Sequence, residues 1–145
     1  MDDGFINKDG TGKIYKFSHD KVREAAYGLI SEGERDQFHH NIGMLLYYAT
    51  DRDDLDDIIF LLADQINHGE NQDPELRMST AKLNYHAASK AMRNSNIEAA
   101  EFYANAAIKL LPTDHWQTKY ELSLQIFLVL GNAAYTNGHI KEAVM

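Results

Sequence analysis

Cysteine is absent from the 145 residues. That excludes disulfides and zinc–thiolate sites and suits a reducing compartment, expected here to be the cytoplasm. Basic side chains are too few to balance the acids: 14 Lys and Arg against 22 Asp and Glu leave a formal net charge of −8. An acidic surface repels phosphate backbones and anionic lipid, so neither nucleic acid nor a membrane is an expected partner. No apolar run nears the ~20 residues that a membrane helix needs. Ile58–Ala63 and Ile126–Leu130 are core-length segments by that measure. No basic, apolar leader follows Met1, so no secretory signal is expected. There is no Gly-rich loop ending in Lys-Ser or Lys-Thr, hence no phosphate cradle. No Ser-His-Asp or paired-carboxylate arrangement stands out, and the chain is not expected to be an enzyme.

Proline is scarce too, with two copies, and both punctuate helices. Asp73-Pro74-Glu75 is a start signal: a cap, a proline in the first turn and an acid. Pro112 is a stop, since it lacks an N–H and clashes with the preceding turn. Between them lie two amphipathic helices joined by Asn94-Ser95-Asn96. The first presents Leu76, Thr80, Leu83, Ala87 and Ala91. The second presents Ala100, Tyr103, Ala104, Ala107 and Leu111, the spacing of one helical face. Alanine on that face lets two backbones approach closely. Helix pairs of this kind are the unit of helical repeat proteins, which bind other proteins.

The flanking segments also read as mostly helical. Gly4–Phe17 has the pattern of a β-hairpin, with Asn7-Lys8-Asp9-Gly10-Thr11-Gly12 as its turn and Ile14, Tyr15 and Phe17 on the return strand. Ser18 is placed to cap a helix that shows Val22, Ala25, Ala26, Leu29 and Ile30 on one face. Ser31-Glu32-Gly33-Glu34 has the capping-box form and opens a helix striped by Phe38, Ile42, Leu45 and Leu46. The five aspartates of 51–57 are expected before and within the first turn of a third helix. That helix buries Leu55, Ile58, Ile59, Leu62 and Ile66 and ends at Gly69. Past Pro112, a long helix runs from Thr113 or Asp114 to Tyr135. It is apolar almost all round between Leu124 and Leu130, so neighbours are expected on both sides. After the turn at Asn137-Gly138, His139–Met145 begins a further helix. Lys141-Glu142-Ala143-Val144 mirrors Glu98-Ala99-Ala100-Glu101, so the chain reads as a fragment cut inside its second repeat.

Several groups are candidates for chemistry. Aligning Gly12 with the glycine of a calcium loop puts Asn7, Asp9 and Thr11 at the first ligand positions and Ile14 at the apolar one. The position needing a bidentate Glu is Ser18, so calcium should bind poorly. His39 and His40 point about 100° apart on a helix and cannot share an ion. Asp36 and His40 supply two ligands at i, i+4 but no third, so exposed or capping histidines are the default and no metal is expected. The aspartate run reads as a solvated helix entrance. Tyr47-Tyr48 reads as half core and half surface. His19 stands with Asp20 where a strand hands over to a helix, and free N–H groups of a helix start can meet an anion there.

Taken together, Phe17-Ser18-His19-Asp20, Val22, Ala25-Ala26-Tyr27 and Leu29-Ile30 resemble the end of the winged-helix module of STAND-type signalling ATPases. The resemblance extends to the AAA-like segment of large multidomain sensor kinases. It continues through Glu34-Arg35 with His39, Ile42-Gly43, Asn67-His68-Gly69, Asp73-Pro74, Ala81–Asn84, Ala87–Ala91, Ala106-Ala107, Tyr120–Leu122, Ala133–Tyr135 and Asn137-Gly138. The helices after Asp73 are similar to tetratricopeptide repeats: Ala100, Ala104, Ala107 and Pro112 fall where that pattern wants small residues and a proline. Leu130-Gly131 and Ala143 fit a second copy. Asn84 departs from it, standing in place of an early aromatic. The resemblance implies that His19 faces ADP held by an ATPase core that this chain lacks.

The expected fold is therefore mostly α, an α-α superhelix of TPR-like repeats with a short N-terminal β-hairpin. Residues 1–50 would be the C-terminal part of a winged-helix module and 51–145 the repeat segment. The expected function is a non-catalytic regulatory and protein-interaction segment of a signalling ATPase or sensor kinase, holding no cofactor itself and partnering protein modules. A calcium-responsive helical domain using Asn7–Ile14 is the alternative. A DNA-binding winged helix is disfavoured by the charge.

Overall fold

The computed structural model describes residues 21–138. The chain divides into two compact units, Met1–Asp36 and Gln37–Met145. The hairpin over Gly4–Phe17, the loop Asn7–Ile14, the cap at Ser18 and the helix from His139 lie outside the described residues. No strand occurs among the residues described.

In the first unit, residues 21–28 are helical. Lys21 pairs with Glu24 one turn on at 3.2 Å. The Arg35 guanidinium sits 4.6 Å from the centre of the Tyr27 ring. The apolar face expected from Val22 to Ile30 is not buried. The helix stops at residue 28, so Leu29 and Ile30 fall in the following turn, and Leu29 is 89% exposed. Helix α1 (Glu32–Ala49) begins where the Ser-x-x-Glu signal puts it. The bonding differs from a capping box: the Ser31 hydroxyl donates to the Glu34 carboxylate at 2.5 Å, while the Glu34 N–H donates to the Ser31 carbonyl.

In the second unit, the C-terminal part of α1 buries His40, Gly43 and Met44. This corrects the stripe Phe38, Ile42, Leu45 and Leu46: Phe38 is exposed and Leu45 is 70% exposed. The reason is contact with α2 (Ile59–Ile66). A Cβ at position 43 would lie 2.6 Å from Ile66 Cγ1 and 2.9 Å from its amide nitrogen, so the glycine marks where the two helices meet most closely. A larger apolar side chain on that face would hold them apart. Helix α2 buries Ile59, Leu62, Ala63 and Ile66, with Leu55 and Ile58 only half-buried. The aspartate run precedes α2 entirely; no acid lies in its first turn, and its C-cap is Asn67 rather than Gly69.

Helix α3 (Pro74–Arg93) starts as its sequence specifies. The Asp73 carboxylate accepts from the N–H groups of Glu75 and Leu76 at 2.8 and 3.1 Å. Ser95, at φ 58°, and the Asn96 cap turn the chain into α4 (Ile97–Leu110). The two run antiparallel: Arg77 near the start of α3 donates to the Lys109 carbonyl near the end of α4, and Ala91 clusters with Ala100. Ala81, Ala87, Ala88 and Ala91 on α3, and Ala100, Ala104 and Ala107 on α4, are all fully buried. Helix axes pack about 8–10 Å apart, and methyl side chains allow the short end of that range. Leu111 is extended (ψ 143°), the conformation that a following proline imposes, and α4 stops before it.

The long helix expected from Thr113 to Tyr135 is broken. A single turn, α5 (His115–Thr118), gives way at Lys119 (φ −136°, ψ 39°) to α6 (Tyr120–Thr136). Buried Ser123 holds the two together, donating to the Lys119 carbonyl at 2.9 Å and lying 2.8 Å from His115 Nδ1. Helix α6 runs antiparallel to α4, since Asn137 beyond its end donates to Glu101 near the start of α4. Ala133 joins Ala91 and Ala100 in one cluster, so three helices meet through methyl groups.

Candidate interaction surfaces

Helix α6 buries one side only. Ser123, Ile126, Ala133 and Ala134 face inward, while Tyr120, Leu124, Phe127 and Leu128 are exposed. Neighbours on both sides of Leu124–Leu130 were expected, and the outer side is open instead. Trp116 of α5 extends this face, with ring centres 5.2 Å from Phe127 and 6.1 Å from Tyr120. His115 stacks on Phe127 at 6.0 Å with the planes 9° apart. The break at Lys119 explains the arrangement. It folds α5 back so that its rings share a face with those of α6, whereas a continuous helix would carry them further along its axis. Contiguous exposed aromatics of this kind mark interaction surfaces on soluble domains.

A second feature is a cleft of about 460 Å³ between the 67–71 segment, α3 and α4. His40 and Ile66 line it, and Arg77 and Lys109 supply two cations. His40 is 3% exposed. Its Nδ1 donates to the Ile66 carbonyl at 2.7 Å, and its Nε2 is buried with no hydrogen-bond partner. The expectation of exposed or capping histidines therefore fails at His40. The i, i+4 spacing of Asp36 and His40 gave no sign of it; burial followed from the close helix contact at Gly43.

Nearby polar contacts are internal ties. Asn67 and Asn84 exchange reciprocal side-chain hydrogen bonds, and Asn84 also donates to the Thr80 carbonyl. Buried Tyr103 donates to the Asp64 carboxylate at 2.7 Å. Desolvation first, then the bond to Asp64 and its charge, raise the phenol well above its ordinary range. His39 contacts Gln65 at 2.7 Å and stacks on His68 with ring centres 4.6 Å apart. The aspartate run is partly engaged: Asp56 pairs with Lys90 and Arg93 at 3.2 and 3.6 Å. Tyr47 is half-buried and Tyr48 exposed, as their sequence positions imply. His19 lies outside the described residues. Among those described, no group of three or more His, Asp or Glu is placed to hold a metal, and no helix is long and apolar enough to cross a membrane.

No family model matches the chain, and no solved structure matches it at a significant level. A curated protein does: the hybrid signal transduction histidine kinase G of Dictyostelium discoideum is 25% identical over 155 aligned positions. The match takes in 89% of this chain and 4% of that protein, so the chain spans a small part of its relative's length. The chain thus resembles a segment of a signalling protein.

Proposed function

We propose that this chain is a non-catalytic regulatory and protein-interaction segment of a larger signalling ATPase or sensor kinase, coupling nucleotide state to an effector module. The observation that carries the reading is the open face of Trp116, Tyr120, Leu124, Phe127 and Leu128, on helices otherwise packed through alanine. A rigid stack with one apolar side uncovered can receive another module and pass on its movement. The likeness to part of a signalling histidine kinase supports the same role. On this reading α3, α4 and α6 belong to a TPR-like array following the end of a winged helix, and His19 reads ADP bound by a separate ATPase core. The partners are protein modules, the setting is cytoplasmic, and ATP or ADP belongs to the parent rather than to this segment.

The test uses the full-length parent. Phe127→Asp with Leu128→Asp is expected to alter phosphoryl-transfer output while leaving helicity unchanged, because both residues face outward. Unaltered output would overturn the coupling role. Separately, His19→Ala with unchanged ADP retention and unchanged activation would remove the nucleotide-reading role. Nucleotide hydrolysis by the isolated chain would refute the non-catalytic assignment.

A further inference from the structure

We infer that α6 pairs with α6 of a second copy of this chain, the two helices crossing antiparallel at Gly131. Phe127 of each copy then packs on Tyr135 of the other. The pairing rests on α6 as an interaction surface and names its occupant; no ATPase core takes part in it.

Gly131 stands in the middle of the open face. Tyr120, Leu124, Phe127, Gly131 and Tyr135 follow the i, i+4, i+7, i+11, i+15 spacing of one helical stripe, and its four large side chains are exposed. Glycine is the poorest helix former after proline, so in mid-helix it weakens α6 unless something occupies the space it leaves. A Cβ built at Gly131 meets no described residue within 4 Å, so nothing described in this chain occupies that space. Gly43 shows the use of such a gap: there the missing Cβ lets α1 and α2 touch at Ile66. At Gly131 the gap lies on the outer side instead, in the ridge Phe127–Gly131–Tyr135. A notched i±4 ridge receives a second helix at a crossing angle of about 50°.

Charge and symmetry select the helix that crosses there. From Leu122 to Thr136, α6 carries no Asp, Glu, Lys, Arg or His. A basic partner gains nothing on such a face, and like-charged chains repel least where charge is missing. In a chain of net charge −8, a second copy meets no opposing carboxylate along this stretch. A two-fold, antiparallel contact sets residues equally far before and after Gly131 against one another. Phe127 and Tyr135 stand four before and four after it, so the same ring pair forms twice. Offset or edge-on rings attract beyond the area they bury. The antiparallel order also puts each helix N-terminus beside the other's C-terminus, where the dipoles attract. Gln125, Asn132 and Thr136 flank the stripe on one side and stay in water. One helix against its copy is small for an interface, so the pair is weak and reversible.

Sedimentation equilibrium of the full chain at about 0.1–1 mM tests the pairing, and a reversible monomer–dimer equilibrium is expected. Gly131→Leu fills the notch and should weaken the dimer about tenfold or more. Its thermal midpoint should hold or rise, because Leu is the better helix former and its Cβ meets nothing described. Phe127→Arg and Tyr135→Glu, both at exposed positions, should each be monomeric alone and associate when mixed. A mixed pair joins the two introduced charges at one contact and keeps Phe127 against Tyr135 at the other. No association of that mixture, with the circular dichroism of both variants unchanged, overturns the antiparallel pairing. Should either charged variant lose helicity, Gly131→Leu decides. A native chain that stays monomeric at about 1 mM, or a dimer that Gly131→Leu leaves unweakened, overturns the inference. If the native chain is monomeric while Phe127→Asp with Leu128→Asp still alters the parent's output, the second copy is wrong and the α6 face remains the seat of another module.

Discussion

The side-chain amides of Asn67 and Asn84 face each other head to tail, each donating to the other's oxygen at 2.7 and 2.9 Å. Asn84 is fully buried on α3, and Asn67 caps the end of α2. The pair therefore fixes one helix end against the middle of the next. Asn84→Ala leaves Asn67 without its partner and opens a small cavity. A loss of about 2–3 kcal/mol is expected, combining the cost of an unmade hydrogen bond with that of the void. Urea unfolding measures it, and a change below about 0.5 kcal/mol would mean that water replaces the lost partner at no cost.

Gly43→Ala tests the closest approach in the second unit. The added carbon would stand 2.6 Å from Ile66 Cγ1 and 2.9 Å from the Ile66 nitrogen. Ala is the better helix former by about 1 kcal/mol at an open site, yet overpacking costs about 1–3 kcal/mol. The clash involves backbone and cannot be relieved by a rotamer, so net destabilisation is expected. Ile66→Ala removes the nearest obstacle, Cγ1, and leaves the Ile66 nitrogen and Gln65 Cβ in place. A double-mutant cycle should therefore show the pair to be less damaging than the sum of the single changes.

The sign of the Tyr103 effect on stability follows from its raised phenol. The folded-state value lies above the unfolded one, so its contribution is complete below about pH 10, the unfolded value, and is lost as pH rises past it. Unfolding free energies measured between pH 8 and about 11 should fall with pH for the native chain. They should fall less steeply for Tyr103→Phe, which has no proton to lose. Identical slopes would place the phenol in water in both states.

Ala104→Leu probes the alanine seam. Ala104 is fully buried in the core that α3 and α4 share. Three extra carbons there should force α3 and α4 apart and cost about 1–3 kcal/mol or more. The same change at exposed Asn105 should stay within about 0.5 kcal/mol. Equal thermal midpoints for the two variants would contradict close packing.

The helix pair between the prolines was legible because its signals are local. Asp73-Pro74 fixes a start, Asn94–Asn96 a turn, Pro112 a stop, and Ala100, Tyr103, Ala104 and Ala107 at i, i+3, i+4 and i+7 a face. The stripe of α1 was misread for a reason of the opposite kind. Hydrophobicity favoured Phe38 and Leu45, but a glycine contact with a helix more than twenty residues away decided which side faces inward. Lys119 carries no breaker signal, so the kink between α5 and α6 was invisible too. Of the candidate sites, the open aromatic face was readable as residues but not as exposed. His40 was readable only as one histidine of an adjacent pair; its buried, half-bonded state depends on the tertiary contact at Ile66.

The break at Lys119 has a practical consequence, because it sets the chain's single tryptophan among the rings of the open face. The protein thus carries an optical reporter at the place where a partner would land. Trp116, 44% exposed, emits against no background from a second indole. A module settling there would dry the ring and draw its emission towards the blue, so docking can be followed without a dye or a label.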